Sequence, residues 1–130
     1  MLISLFVLTS CLAIVITVVL QGVRNAHLAR ETAIVTSVLQ NEIESLRLEN
    51  WSSLSSYPED EEVEVDEDFL ELSKLTSLTV TRTLTTDEDN ADIMIIRLKG
   101  EWLSNSNIPQ SKTLLTKYTK GGMYDYYYSD

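Results

Sequence analysis

Residues 1–24 read MLISLFVLTSCLAIVITVVLQGVR, and the fold turns on how this run is understood. From Met1 to Val23 no side chain is charged, and Ser4, Thr9, Ser10, Thr17, Gln21 and Gly22 are the main interruptions of the apolar pattern. About 20 such residues carry a helix across the hydrocarbon core of a bilayer. Leu8-Thr9-Ser10-Cys11 also spells a lipoprotein cleavage site. A secretory or lipoprotein signal has a basic region before a shorter apolar run. Here LAIVITVVL continues past Cys11, and no basic residue of this chain lies ahead of the run. Cys11 is therefore expected to be a small apolar residue inside a spanning helix.

Working outward, nothing in the next stretch should stop that helix. Between Gln21 and Asn50 there is no proline, and Gly22 is the sole glycine. Val35, Val38 or Leu39, Ile43 and Leu46 recur at helical spacing, and Ala26, Ala29 and Ala33 extend the stripe backwards with small residues. Glu31, Gln40, Asn41, Glu42, Glu44 and Arg47 are assigned to the other faces. The expectation is a rod of about 75 Å, apolar over 1–23 and amphipathic over 24–50. Arg24 and Arg30 follow the apolar run, so the basic residues of this chain alone place the carboxy-terminal part in the cytoplasm.

The remainder is small for a self-sufficient core, so help from a partner or an assembly is expected. Residues 51–68, WSSLSSYPEDEEVEVDED, begin with serines and Pro58 and carry 8 of the chain's 20 acids; this is read as a solvated acidic loop. A small antiparallel β domain follows over 69–120. Phe69–Leu75 suits a short helical turn, and three runs then read as strands. In SLTVTRTLTT, Leu78, Val80, Arg82 and Leu84 alternate with threonines. DIMIIRLKGEWL is apolar on both faces at Ile93–Ile96 and belongs in the sheet's centre, while SKTLLTKYTK puts Leu114, Thr116 and Tyr118 on one face. The links between them are short and polar, which favours a meander. The predicted class is α+β: a long amino-terminal helix, its second half lying on an antiparallel sheet of three to four strands. Residues 121–130 form a tail in which Gly121-Gly122 allows a turn. Tyr124, Tyr126, Tyr127 and Tyr128 then offer an aromatic interface, or close the domain's edge.

Several functions are disfavoured by composition. A net charge of −10 argues against nucleic acid. One cysteine and one histidine leave no disulfide framework, cysteine zinc site or catalytic triad within the chain. Paired carboxylates abound, yet acid–base chemistry needs a pocket that drives their pKa values apart, and no phosphate loop or cofactor motif is present. The chain is expected not to be an enzyme, with no small-molecule substrate and no required cofactor. Asp87, Asp89, Asn90 and Asp92 cluster in a predicted turn and are the candidate Ca²⁺ ligands, although they lack the spacing and glycine of a helix–loop–helix calcium site.

The layout resembles the type IV pilin and pseudopilin superfamily. The resemblance is carried by MLISLFVLTSCLAIVITVVLQGVRNAHLARETAIVTSVLQNEIESLR and by TRTLTT…IMIIRLKGEW…TLLTKYTKGGMYDYYY, whose Gly-Gly-aromatic ending is similar to minor pilin-like proteins of Gram-negative bacteria. The family's processing motif, a basic leader ending in glycine and then Phe-Thr-Leu, one residue and glutamate, does not precede ISLFVLTS here. Either the true start lies upstream of Met1, which is the preferred expectation, or the chain is a degenerate member that cannot be cleaved. Such a leader would reverse the orientation, keeping its own basic residues in the cytoplasm.

What the resemblance implies is a prepilin-type subunit, with processing and methylation, of a type IV pilus or type II secretion-type filament. It would wait as a single-pass protein of the inner membrane with its domain in the periplasm. It would then enter a filament, extracellular in some systems, through the filament assembly machinery. Its partners would be the membrane and other pilin or pseudopilin subunits. Ser4, Ser10, Ala13 and Gly22 are the positions whose small size suits close helix packing in that assembly. The alternative is a single-pass membrane-anchored binding protein that forms no filament.

Overall fold

The computed structural model describes residues 1–75 and 77–121. Helix α1 runs unbroken from Leu2 to Arg47, 46 residues, or about 69 Å at 1.5 Å per residue. It ends short of the expected residue 50 because the chain tightens there: the Leu48 and Glu49 amides donate to Ser45 and Leu46 carbonyls. Asn50 then starts a second helix, its Oδ1 accepting the Ser53 amide at 2.8 Å. This helix, α2 (Trp51–Ser55), buries Leu54.

The acidic run is not wholly a loop, which corrects the reading of 51–68. Asp60–Val63 is strand β1, paired antiparallel with the strand Thr79–Thr86 (β2) so that Glu61 faces Arg82. Helix α3 (Glu67–Ser73) follows, with the Asp66 carboxylate accepting the Asp68 amide and Lys74 closing it at φ 60°. Strands β3 (Ile93–Leu103) and β4 (Pro109–Thr119) complete an antiparallel sheet in the order β1-β2-β3-β4. The doubly apolar β3 is interior, as its pattern predicts. At the sheet's edge β1 carries three acids in four residues, which discourages a foreign strand from adding there.

The fold is α+β, with the second half of α1 laid along one face of this sheet. Glu31, Val35, Leu39, Ile43 and Leu46 are the buried positions of α1, spaced three or four apart. Val35, Leu39 and Ile43 pack with Leu75, Leu78, Val80, Leu98 and Trp102. Leu46 joins Leu54, Leu84, Met94, Ile96 and Tyr118 in a second cluster farther along the helix. Contact between helix and sheet is close at Gly100, where a Cβ would come within 2.8 Å of Val35 Cγ1. Ala26, Ala29 and Ala33, expected to extend the buried stripe, are exposed instead. The stripe continues back through Glu31, four residues before Val35, because one turn and a fraction returns the helix to the same face.

Candidate functional site

The two halves of α1 have opposite surroundings. Its amino-terminal half is long and apolar enough to cross a membrane, and no residue of that apolar window is buried by the rest of the chain. Leu12, Ile14, Val18 and their neighbours are more than half exposed. Hydroxyls within this half are satisfied inside the helix: Thr9 and Ser10 donate to the Phe6 carbonyl at 2.9 Å, and Thr17 to that of Ala13 at 2.9 Å. Such back-bonding spares these three hydroxyls a need for water, which suits an apolar solvent. Cys11 is a free, exposed thiol on this surface.

Ser4, Ser10, Ala13 and Gly22 all lie on the bare half but do not make one stripe. At 3.6 residues per turn, about five turns separate Ser4 from Gly22, so they share a direction. Ser10 lies about 120° from Ser4, and Ala13 about 180° from Gly22. A helix using all four positions would therefore touch neighbours on more than one side. At Gly22 nothing lies within 4 Å of where a Cβ would stand.

Beyond the apolar run, a charged side chain forms the first buried contact between helix and sheet. Glu31 is 8% exposed; its Oε2 accepts Trp102 Nε1–H and its Oε1 accepts the Asn105 amide, each at 3.3 Å. The sequence reading placed Glu31 on an outer face. Its i, i+4 phase with Val35, Leu39 and Ile43 was the signal that would have found it.

A second polar knot sits higher on the same interface. Arg82 occupies an apolar-facing position of β2 and is 7% exposed. Its guanidinium pairs with Glu42 of α1 at 3.2 Å and with Glu61 of β1, and it stacks on the Tyr57 ring at 4.3 Å. Tyr57 in turn donates its hydroxyl to Glu49 at 2.8 Å. That hydrogen bond to a carboxylate, reinforced by partial burial, holds the Tyr57 pKa above its ordinary value, with Arg82 pulling the other way. Arg82 therefore ties β1, β2 and α1 together while its Nε remains without a partner. Buried charge of this kind fixes geometry more than it adds stability.

The β2–β3 turn holds the four candidate calcium ligands. Asp87 accepts the Asp89 amide at 3.0 Å on one oxygen and Lys117 Nζ at 3.3 Å on the other, and Asn90 Oδ1 accepts the Asp92 amide at 3.0 Å. The Asp87 and Asn90 side chains are thus engaged in the turn itself, while Asp89 and Asp92 join it through their backbone amides. The Asp89 amide, then Lys117, hold the Asp87 carboxyl below the usual carboxylate range. Among the described residues no group of three or more His, Cys, Asp or Glu side chains is arranged to hold a metal ion. Tyr124, Tyr126, Tyr127 and Tyr128 lie outside the described residues.

No protein-family model, curated protein or solved structure matches this chain.

Proposed function

We propose that the chain is a pilin-like structural subunit of a type IV pilus or type II secretion-type filament. It is held in the bacterial inner membrane by the apolar half of α1, with its domain on the periplasmic side, until it assembles through that same half. One observation carries the reading. A single uninterrupted helix is bare and apolar over one half and forms the core of its own small domain over the other. An anchor that only tethers a domain has no need to continue, without a linker, into that domain's core. In a filament, the continuity fixes each domain relative to the helix bundle at the centre. Small positions on several sides of the bare half let more than one neighbour approach closely.

Crosslinking of the full-length protein in its native cells tests this. Cys11 is the chain's lone cysteine, so a thiol crosslinker joins at most two copies through it. Adding Ser4→Cys gives two thiols per chain, and a continuous helix bundle then yields a ladder beyond dimer. A monomer band with membrane retention intact would leave the anchored, non-filament reading. Substituting Gly22 or Ser10 with Phe should shorten the ladder without releasing the protein from the membrane.

A further inference from the structure

At the base of the domain, the first turns of α1 beyond the apolar run and the β3–β4 loop enclose a cavity of about 340 Å³. Arg24, His27, Leu28 and Glu31 line it from the helix, and Asn105 and Ile108 from the loop. The loop is a built element. Ser104 and Ile108 join through the Ser104 amide at 3.0 Å, and Asn107, at φ 56°, donates its amide to the Ser104 carbonyl at 2.8 Å.

Two fixed charges of opposite sign face this space. Arg24 belongs to no ion pair among the described residues. Glu31 spends one hydrogen bond of each oxygen on Trp102 and Asn105, and a carboxylate has about four acceptor positions, so each oxygen can accept once more. Seven residues separate Arg24 from Glu31, about 10 Å along the axis, too far for direct pairing at their backbone positions but suited to a ligand between them. His27, one turn from each, adds a donor on the Arg24 side.

We propose that this cavity binds the headgroup of phosphatidylethanolamine, with the phosphate on Arg24 and His27 and the ammonium on the free acceptor positions of Glu31. This rests on the reading that the apolar half of α1 lies in a bilayer. Three features select the ligand. The site carries both signs, so a purely anionic headgroup would set its extra negative charge beside Glu31. The ammonium can donate hydrogen bonds to a carboxylate, which a choline nitrogen cannot. The order of charges also fits: Arg24 adjoins the apolar run, where a lipid carries its phosphate, and Glu31 lies farther from it, where the amine projects. Leu28, between Arg24 and Glu31, and Ile108 opposite supply apolar walls for the two methylenes that join phosphate to amine.

The test uses the full-length chain in neutral detergent, with retention of ethanolamine, choline and glycerol phospholipids of identical acyl chains compared by native mass spectrometry. Wild type should retain the ethanolamine lipid about tenfold over the choline lipid, the size of one charge-assisted hydrogen bond. Arg24→Ala should lose retention of both, and Glu31→Gln should erase the difference between them. Because Glu31→Gln also touches Trp102, its thermal melt is recorded. Ile108→Trp, which fills the cavity from an exposed loop position, should abolish retention independently. Equal retention of all three lipids by wild type, or a preference unchanged in Arg24→Ala and Ile108→Trp, overturns the proposal. Soluble phosphoethanolamine should bind at least about tenfold more weakly than the lipid; equal binding would make the ligand a free phosphoamine and overturn the lipid assignment. Flotation with vesicles separates the two readings. A chain that floats with every vesicle yet shows no headgroup preference loses only this proposal, whereas one that floats with none loses the membrane anchor as well.

Discussion

Residues 2–23 and 31–46 belong to one helix with one backbone geometry, yet almost nothing else about them is alike. In the second segment each residue's role depends on its angular position: Leu39 is fully buried and Gln40 beside it is exposed. In the first, every direction is equivalent, and Leu12 and Ile14 are as exposed as Val15 and Val18. Helical backbone therefore does not determine what a residue contributes. The solvent or surface against the side chain does, and the chain changes that partner without changing the helix.

The sharpest way to break this contrast is a pair of leucine truncations in the full chain, unfolded by denaturant in detergent micelles and followed by tryptophan fluorescence. Leu39→Ala opens a cavity beneath the sheet and should destabilise the domain by about 2–5 kcal/mol. Leu12→Ala should leave the domain's unfolding midpoint unmoved. A comparable loss at both sites would mean the bare half supports the domain after all.

Arg82 comes next. Arg82→Met leaves Glu42 and Glu61 without their cation, which for a fully buried pair costs about 3–5 kcal/mol. Glu61 is 43% exposed and can turn to water, so a smaller loss of about 1–3 kcal/mol is expected. Hydrogen exchange should show β1 detaching before the rest of the sheet, and simultaneous opening of all four strands would contradict its role as the pin of that edge.

The two described glycines with opposite surroundings sharpen the comparison further. Gly100→Ala drives a methyl group against Val35 and should cost about 1–3 kcal/mol, largely restored by Val35→Ala. Gly22→Ala meets open space and should raise helix stability by up to about 1 kcal/mol. The domain's circular dichroism melt should therefore fall for Gly100→Ala and not fall for Gly22→Ala.

The smallest effect is at Asp87. Its carboxyl is held below the ordinary value, so the stabilisation it supplies is present at neutral pH and lost as pH falls through the lowered folded-state pKa. Asp87→Asn should thus lower the melting temperature slightly at pH 7, and the difference from wild type should vanish in strong acid. A gap that persists or widens there would refute the assignment.

Features with local causes were legible from the sequence. Val35, Leu39, Ile43 and Leu46 announce their face by spacing, and Ile93–Ile96 announce an interior strand by being apolar on both sides. Pairings across long stretches of chain were not. Asp60–Val63 reads as solvated acid until it is set beside Arg82, 21 residues beyond Glu61, since nothing near it supplies a partner. Glu31 shows its place by phase, four residues before Val35, but not its partner: the Trp102 indole that meets it lies 71 residues away in sequence. Chemistry of that kind belongs to the pair, and residue type alone does not disclose it.

An unbroken α1 also has a mechanical meaning. With neither proline nor a non-helical residue between Leu2 and Arg47, there is no joint at which rotation of one end can be absorbed. Gly100 clamps the sheet directly against Val35, so the domain cannot turn about the rod without moving it. Any torque or tilt applied to the acidic domain passes along the shaft to its apolar end, and a twist imposed there returns by the same route.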